Sequence, residues 1–391
     1  MINYELCCKT RIIYGKGRHK EVGARLKKYT DRVLIVYGGG SIKKTGLYDR
    51  VVKSLNDANV SFEELRGVKA NPYISKVREG IDLCRMTNIR FILAIGGGSV
   101  IDTAKRIAMG VDYEGDVWDF VKKENRVPIT KAIPVSVILT IPGTASETSK
   151  NAVLTNEDTE EKIGIMSEIL RPVFSILDPE LCITIPKSQI APGVYDALSH
   201  TMERYFTPTE RTDVIDGLGE GVMKAILKNA PIVYDNSQDV DGCGELMVAS
   251  DFSHNFWTGF GREADWSNHA LEEVISGIYD IPHGTGLSIT TAAWMRYVYK
   301  KHLPIFVQFA VNVMGIRGDI RNQEATALAG IEALEAFSRR MGLPLHLSEI
   351  GIGDENFERM AKYITDDGTN TIGSLEKLTW EDVMEIYKIA K

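Results

Sequence analysis

Apolar positions are spaced differently in the two halves of the chain. In the first half, short β-branched runs alternate with amphipathic stretches. "DRVLIVYGGG" (31–40) predicts a buried strand ending in glycines, and "TGLYDRVVKSLNDAN" (45–59) behind it has helical periodicity. "VSFEELRGV" (60–68) predicts a second strand, "ISKVREGIDLCRMTN" (74–88) a second helix, and "RFILAIGGGSV" (90–100) a third strand that again ends in glycines. A helix restarts in "VIDTAKRIAMG", and "IPVSVILTIPGTASE" and "PVFSILDPELCI" read as further buried strands. The opening "MINYELCCKTRIIYGKG" reads as a first strand. This alternation predicts a parallel sheet with helices on both faces. Beyond about residue 186, long amphipathic segments such as "EATALAGIEALEAFSRRMG" replace the strands. Pro179 and Pro186 punctuate the change. The expectation is an α/β domain over 1–185 and an all-helical domain over 186–391.

Composition narrows the function classes. Among 391 residues, 44% are hydrophobic and 25% charged, which is ordinary for a globular protein. A net charge of −7 speaks against a nucleic-acid partner. No apolar run reaches the length of about 18 residues that a membrane span needs. The N-terminus lacks the apolar core of a secretory leader. The five cysteines include no C-x-x-C pair, and reduced thiols in a cytoplasmic protein are expected.

Two glycine clusters follow strands: Gly38-Gly39-Gly40-Ser41 and Gly96-Gly97-Gly98-Ser99. A strand, a glycine turn and a helix N-terminus together present backbone N–H groups and positive dipole, where phosphate binds readily. In a doubly wound sheet both turns emerge at the carboxyl edge, where nucleotides bind. The second cluster is assigned to a pyrophosphate and the first to the adenosine end. After Gly38 no acid appears before Asp49, whereas Ser41, Lys43 and Lys44 suit a phosphate monoester. NADP is therefore favoured over NAD, against the bland reading of lysines that decorate a helix start. Asp102 is either a plain acid of the helix start or reaches a ribose hydroxyl. Thr140, Gly143, Thr144 and Ser146 form another hydroxyl-rich turn, suited to the diphosphate and nicotinamide end.

Of the seven histidines, His19, His302 and His346 read as surface residues, and His254 as core or surface. Asp196 and His200, in "GVYDALSHTMERY", stand four apart, and Pro192 and Gly193 sit where their helix would begin. On one helix face their Cβ atoms lie about 6 Å apart, which suits either an ion pair or half of a metal site. His269 and His283 are 14 residues apart, about 21 Å of rise on one continuous helix. Gly277 and Asp280-Ile281-Pro282 predict a break that would return His283 beside His269. One aspartate and three histidines suit Zn²⁺ or Fe²⁺.

The ordered set "TRIIYGKG", "YGGGSIKKTGLYD", "AIGGGSVIDTAK", "TIPGTASE", "RPVFSILDPEL", "GVYDALSHTMERY" and "ADWSNHALEEVISGIYDIPHGTGL" resembles the iron-containing (group III) alcohol dehydrogenases over nearly the whole chain. Within them it looks most like the NADPH-dependent butanol dehydrogenase/aldehyde reductase branch. The resemblance implies a Rossmann-like parallel-sheet domain followed by an all-α domain, the dehydroquinate synthase-like fold. It implies metal ligands at Asp196, His200, His269 and His283. It implies cofactor contacts at Gly38, Gly39, Ser41, Gly97, Gly98, Ser99, Asp102, Thr140, Thr144 and Lys162, to which the residue reading adds Lys43. It further implies NADP(H) with Fe²⁺ or Zn²⁺, an aliphatic alcohol or aldehyde substrate, and a homodimer. One departure is that relatives often carry histidines where Glu273 and Tyr279 stand here. Rival readings are an NAD-linked polyol (glycerol-type) dehydrogenase, a dehydroquinate-synthase-like lyase, and a non-catalytic NADP-binding sensor.

Overall fold

The computed structural model describes residues 1–122 and 125–391. The chain divides into two compact units. One comprises Cys7–Pro186 with Ser237–Met247; the other comprises Met1–Leu6, Lys187–Asn236 and Val248–Lys391.

The first unit is built on strands β1 (Arg11–Tyr14), β2 (Arg32–Tyr37), β3 (Ser61–Leu65), β4 (Ile92–Gly96), β5 (Val135–Leu139), β6 (Asn151–Asn156), β7 (Glu161–Met166) and β8 (Phe174–Leu177). Six of them form one sheet in the order β1-β8-β5-β4-β2-β3, with every neighbouring pair parallel. Helices α1 (Val22–Leu26), α2 (Ser41–Lys44), α3 (Leu47–Asp57), α4 (Ile74–Thr87) and α5 (Gly98–Gly110) intervene. The four inner strands β8, β5, β4 and β2 are covered on both faces and are nearly continuous apolar runs, whereas the edge strands β1 and β3 are partly exposed. Val33, Ile35 and Tyr37 pack into one core with Val51 and Leu55 of α3, while Leu34 and Val36 are equally buried on the opposite face.

The chain runs from β2 to β3 on one side, then returns to place β4 on the other side of β2. That reversal is the switch point at which open α/β sheets bind ligands. Both glycine turns emerge there, at the carboxyl ends of β2 and β4.

Helix α5 is buried from Val100 to Gly110, Lys105 and Arg106 included. Lys105 donates to the Ser149 and Asn151 carbonyls at 2.9 and 2.8 Å, and burial pulls its ammonium down to about 8. Arg106 donates to the Ala152 and Ile163 carbonyls, both at 2.7 Å. These bonds tie the antiparallel β6–β7 hairpin to the sheet domain. The acidic stretch 156–162 spans the end of β6, an exposed turn at 157–160 and the start of β7.

Two local expectations need correction. His19 is not a surface residue but 2% exposed. Its Nδ1 lies 2.6 Å from Asp178 Oδ2, and Arg50 Nε donates to its Nε2 at 2.9 Å, so a polar partner meets each ring nitrogen. The opening segment forms a strand only at Arg11–Tyr14, paired to β8. Residues Met1–Leu6 belong instead to the helical unit, where Ile2 N donates to the Gly261 carbonyl at 2.8 Å and the Tyr4 and Phe260 rings lie 4.9 Å apart.

The second unit is helical: α6 (Lys187–Tyr205), α7 (Asp213–Asp235), the end of α8 (Val240–His254), α9 (Ser267–Tyr279), α10 (His283–Val298), α11 (Leu303–Asn312), α12 (Gln323–Arg340), α13 (Phe357–Ile364) and α14 (Trp380–Ala390). Helix α10 lies at its centre, packed against α6, α9, α12 and α14. Phe206, Trp294, Phe306 and Phe309 build an aromatic core, with the Phe206 and Phe306 rings stacked at 4.7 Å. Helix α6 starts at Lys187, ahead of the expected Pro192–Gly193, and carries Pro192 in its interior. Proline weakens a helix there by removing an N–H donor. Here the site serves packing, since a Cβ on Gly284 of α10 would lie 1.9 Å from the Pro192 carbonyl oxygen. Among the described residues, no helix is long and apolar enough to cross a membrane.

Candidate metal centre and dinucleotide edge

Three helices bring the four expected metal-binding side chains together within the helical unit. Asp196 and His200 share one face of α6, His269 stands in the first turn of α9, and His283 is the first residue of α10. The break between His269 and His283 forms as the sequence suggests. Helix α9 stops at Tyr279, Asp280 turns at φ 48°, and Pro282 precedes the next helix in extended conformation.

Asp196 Oδ1 lies 3.5 Å from His200 Nδ1, 3.9 Å from His269 Nε2 and 3.7 Å from His283 Nε2. Donor atoms of Asp196, His200 and His269 all fall within 4.8 Å of one another. These separations are too long for hydrogen bonds and suit donors arranged around one ion. His200 Nδ1 and His269 Nε2 are buried and accept no hydrogen bond, an arrangement that costs free energy without a partner such as a metal. The side chains of Asp196, His200 and His269 are 5–8% exposed, whereas His283 is 24% exposed, so the group is closed on one side and open at His283. Burial, with His254, His269, Arg204 and His283 nearby, holds the His200 ring far below its usual range and keeps it neutral, as a ligand must be.

Two glutamates that sequence reading missed orient these rings. Glu203 Oε1 lies 2.7 Å from His269 Nδ1 and accepts from the His269 backbone N–H at 2.8 Å. Burial pulls the His269 ring down, but the Glu203 bond and charge outweigh it and leave the ring raised. Glu272 takes the same part for His283, bonding Nδ1, and Ser276 Oγ donates to its other oxygen. A carboxylate on Nδ1 fixes the tautomer that presents Nε2 to a metal. The available signal was H-x-x-E, present at His200–Glu203 and His269–Glu272. Each glutamate serves a histidine of a later helix, which the spacing alone does not convey.

His254 is buried, its ring 3.9 Å from that of His200. Trp266, at φ 62°, sets its indole 5.1 Å from His269 and 4.7 Å from the Arg204 guanidinium. Arg204 donates to the His200 and Ser253 carbonyls at 2.7 and 3.1 Å, locking α6 to the end of α8. Tyr279 accepts from Asn356 Nδ2 at 2.8 Å and donates to Glu355 Oε1 at 3.3 Å.

In the α/β unit, the two glycine turns lie at the ends of adjacent strands β2 and β4. Gly39 and Gly40 face open space, and Gly40 adopts φ 106°, where a side chain would strain the backbone. Gly97 precedes α5 in extended conformation, and no side chain caps that helix end. A Cβ on Gly98 would lie 2.4 Å from Thr144 Cγ2, so the α5 backbone packs directly against the Thr144 turn. Ser99 accepts from Thr103 Oγ1 through its carbonyl, and Thr140 N donates to the Gly96 carbonyl at 3.1 Å. Asp102 is turned into the fold, accepting from Ser146 Oγ and, at 2.9 Å, from Val153 N. Lys162 is half-buried on β7, opposite Thr155.

Around Ser41 and Lys43 the structure adds an acid that local sequence does not reveal. Glu64, near the end of β3, lies 3.3 Å from Lys43 Nζ and accepts from Tyr37 Oη at 2.5 Å and from Tyr48 Oη.

Residues 9–179 match the iron-containing alcohol dehydrogenase family, and residues 190–391 match the C-terminal part of the Fe-containing alcohol dehydrogenase family. The chain belongs to the iron-containing alcohol dehydrogenase family. NADH-dependent butanol dehydrogenase A of Clostridium acetobutylicum is 42% identical over 389 residues, 99% of each chain. NADPH-dependent aldehyde reductase YqhD of Escherichia coli is 30% identical over 393 residues, 100% of each chain. The crystal structure of an NADH-dependent butanol dehydrogenase A from Thermotoga maritima matches with a TM-score of 0.94 at 36% identity, covering 100% of this chain and 99% of that one.

Proposed function

We propose that this protein is a metal-dependent, NADP(H)-linked alcohol dehydrogenase that reduces aliphatic aldehydes of the butanol type. The observation that carries the metal half is the convergence of Asp196, His200, His269 and His283 with buried, unpartnered nitrogens on His200 and His269. Fe²⁺ and Zn²⁺ both suit this donor set. When bound, such an ion supplies Lewis-acid polarisation of a carbonyl, and the nicotinamide supplies the hydride.

The chain's own residues prepare that chemistry. Glu203 and Glu272 keep the Nδ1 protons of His269 and His283, so the Nε2 lone pairs face the centre. Trp266 covers His200 and His269 on one side and limits water there, while the open side at His283 leaves room for substrate. The dinucleotide is assigned to Gly38, Gly39, Ser41 and Lys43 at its adenosine end and to Gly97, Gly98 and Ser99 at its diphosphate. Thr140, Thr144 and Lys162 are assigned toward the nicotinamide. Asp102 acts on that site through the Ser146 turn it holds. The Lys43 ammonium and Ser41 hydroxyl beside the open Gly39–Gly40 turn support NADP(H), with Glu64 as the opposing acid. Family resemblance supports a cytoplasmic homodimer.

The deciding experiment strips the purified protein with chelator, reloads it with Fe²⁺ or Zn²⁺, and follows NADPH and NADH oxidation with butyraldehyde. Metal-dependent turnover that prefers NADPH is expected. Turnover with NADH alone would overturn the cofactor assignment. Tight metal binding without turnover across short and long aldehydes would favour a sensor or lyase.

A further inference from the structure

We infer that the Glu64–Lys43 pair is the element that discriminates between the two nicotinamide dinucleotides; this rests on the reading of the β2–β4 edge as a dinucleotide site. Strands β2 and β3 are parallel neighbours with Ile35 opposite Glu64, so Glu64 emerges beside the glycine turn that follows Tyr37. Three donors converge on its carboxylate: Tyr37 Oη at 2.5 Å, Lys43 Nζ at 3.3 Å, and Tyr48 Oη on the other oxygen. Lys43 in turn lies over the Tyr48 ring at 4.3 Å and the Tyr37 ring at 5.3 Å. The pair is therefore held in place, yet Lys43 and Glu64 remain 45% and 29% exposed. Gly39 and Gly40 leave open space alongside.

The two charges act in opposite directions on the one group that distinguishes the dinucleotides. A 2′-phosphate is attracted by the Lys43 ammonium and repelled by the Glu64 carboxylate. A 2′-hydroxyl carries no charge but donates well to a carboxylate. Because the carboxylate already neutralises the ammonium, neither preference is expressed in full. Removing either member unmasks the other.

Affinities of the full-length protein for NADPH and NADH are measured by titrating nicotinamide fluorescence, with no substrate present. Lys43→Met should weaken NADPH by about tenfold, as expected for one charge-assisted contact, and NADH by less than about twofold. Glu64→Gln, whose side-chain carbonyl can still accept from the tyrosines, should shift the ratio toward NADPH by about tenfold. An unchanged ratio in both variants, with both dinucleotides bound, would overturn the inference and leave the dinucleotide site standing. A parent protein that binds neither dinucleotide overturns the site assignment itself.

Discussion

Glu203 grips His269 twice, at the ring Nδ1 (2.7 Å) and at the backbone N–H (2.8 Å), with a single carboxylate oxygen. The Glu203 carbonyl also accepts from Asp265 N at 2.8 Å. One residue of α6 thus sets both the position of the α9 N-terminus and the rotation of the imidazole it carries. Glu203→Ala should lower metal affinity by about 10–100-fold. Competition with a chromophoric chelator reads this directly, and Glu203→Gln, which can still accept from Nδ1, should recover part of it. Equal affinity in parent and Ala variant would reduce Glu203 to a packing role.

Asp196 faces all three histidines, so its loss should be the most damaging single change in the centre. Asp196→Ala should leave the helical fold intact by circular dichroism. Metal affinity should fall by at least as much as the roughly 10–100-fold expected for an orienting carboxylate. Metal content after dialysis, measured by mass spectrometry, checks it.

The closest backbone approach in the centre lies next to His283, which we propose as a metal ligand. A Cβ on Gly284 would meet the Pro192 carbonyl oxygen at 1.9 Å, a clash that no side-chain rotation relieves. Gly284→Ala should therefore push α10 from α6 and destabilise the protein by about 1–3 kcal/mol or more. Since His283 precedes Gly284, metal affinity should fall with it. Denaturant unfolding and metal titration on the same sample separate the two effects.

The pH dependence of stability should reflect Asp178. Burial alone would raise its carboxyl, but the His19 ring and N–H, with the Glu180 N–H, hold it below the usual value. A depressed folded value means stability that is present above the unfolded pKa of about 4 and lost as pH falls through the folded value. Asp178→Asn should cost about 1–3 kcal/mol at neutral pH. It should also flatten the loss of stability below about pH 4. Urea midpoints from pH 3 to 7 measure both.

Local sequence determined the element types, because strand and helix periodicities are set by neighbours along the chain. It showed the glycine turns after β2 and β4, the Asp196–His200 helix face, and the chain break before His283. Family resemblance then joined Asp196, His200, His269 and His283 into one set. Tertiary structure decided what depends on partners distant in the chain. Its basic and loop neighbours placed His19 on the surface, yet Asp178, 159 residues away, gives its ring a buried partner. The H-x-x-E spacing pairs Glu203 with His200, yet the fold turns that carboxylate to His269, 66 residues on. Lys43 looked like an open cation until β3 brought Glu64 beside it. Buried charge and imidazole orientation follow from which helix or strand packs alongside, and periodicity carries no record of that neighbour.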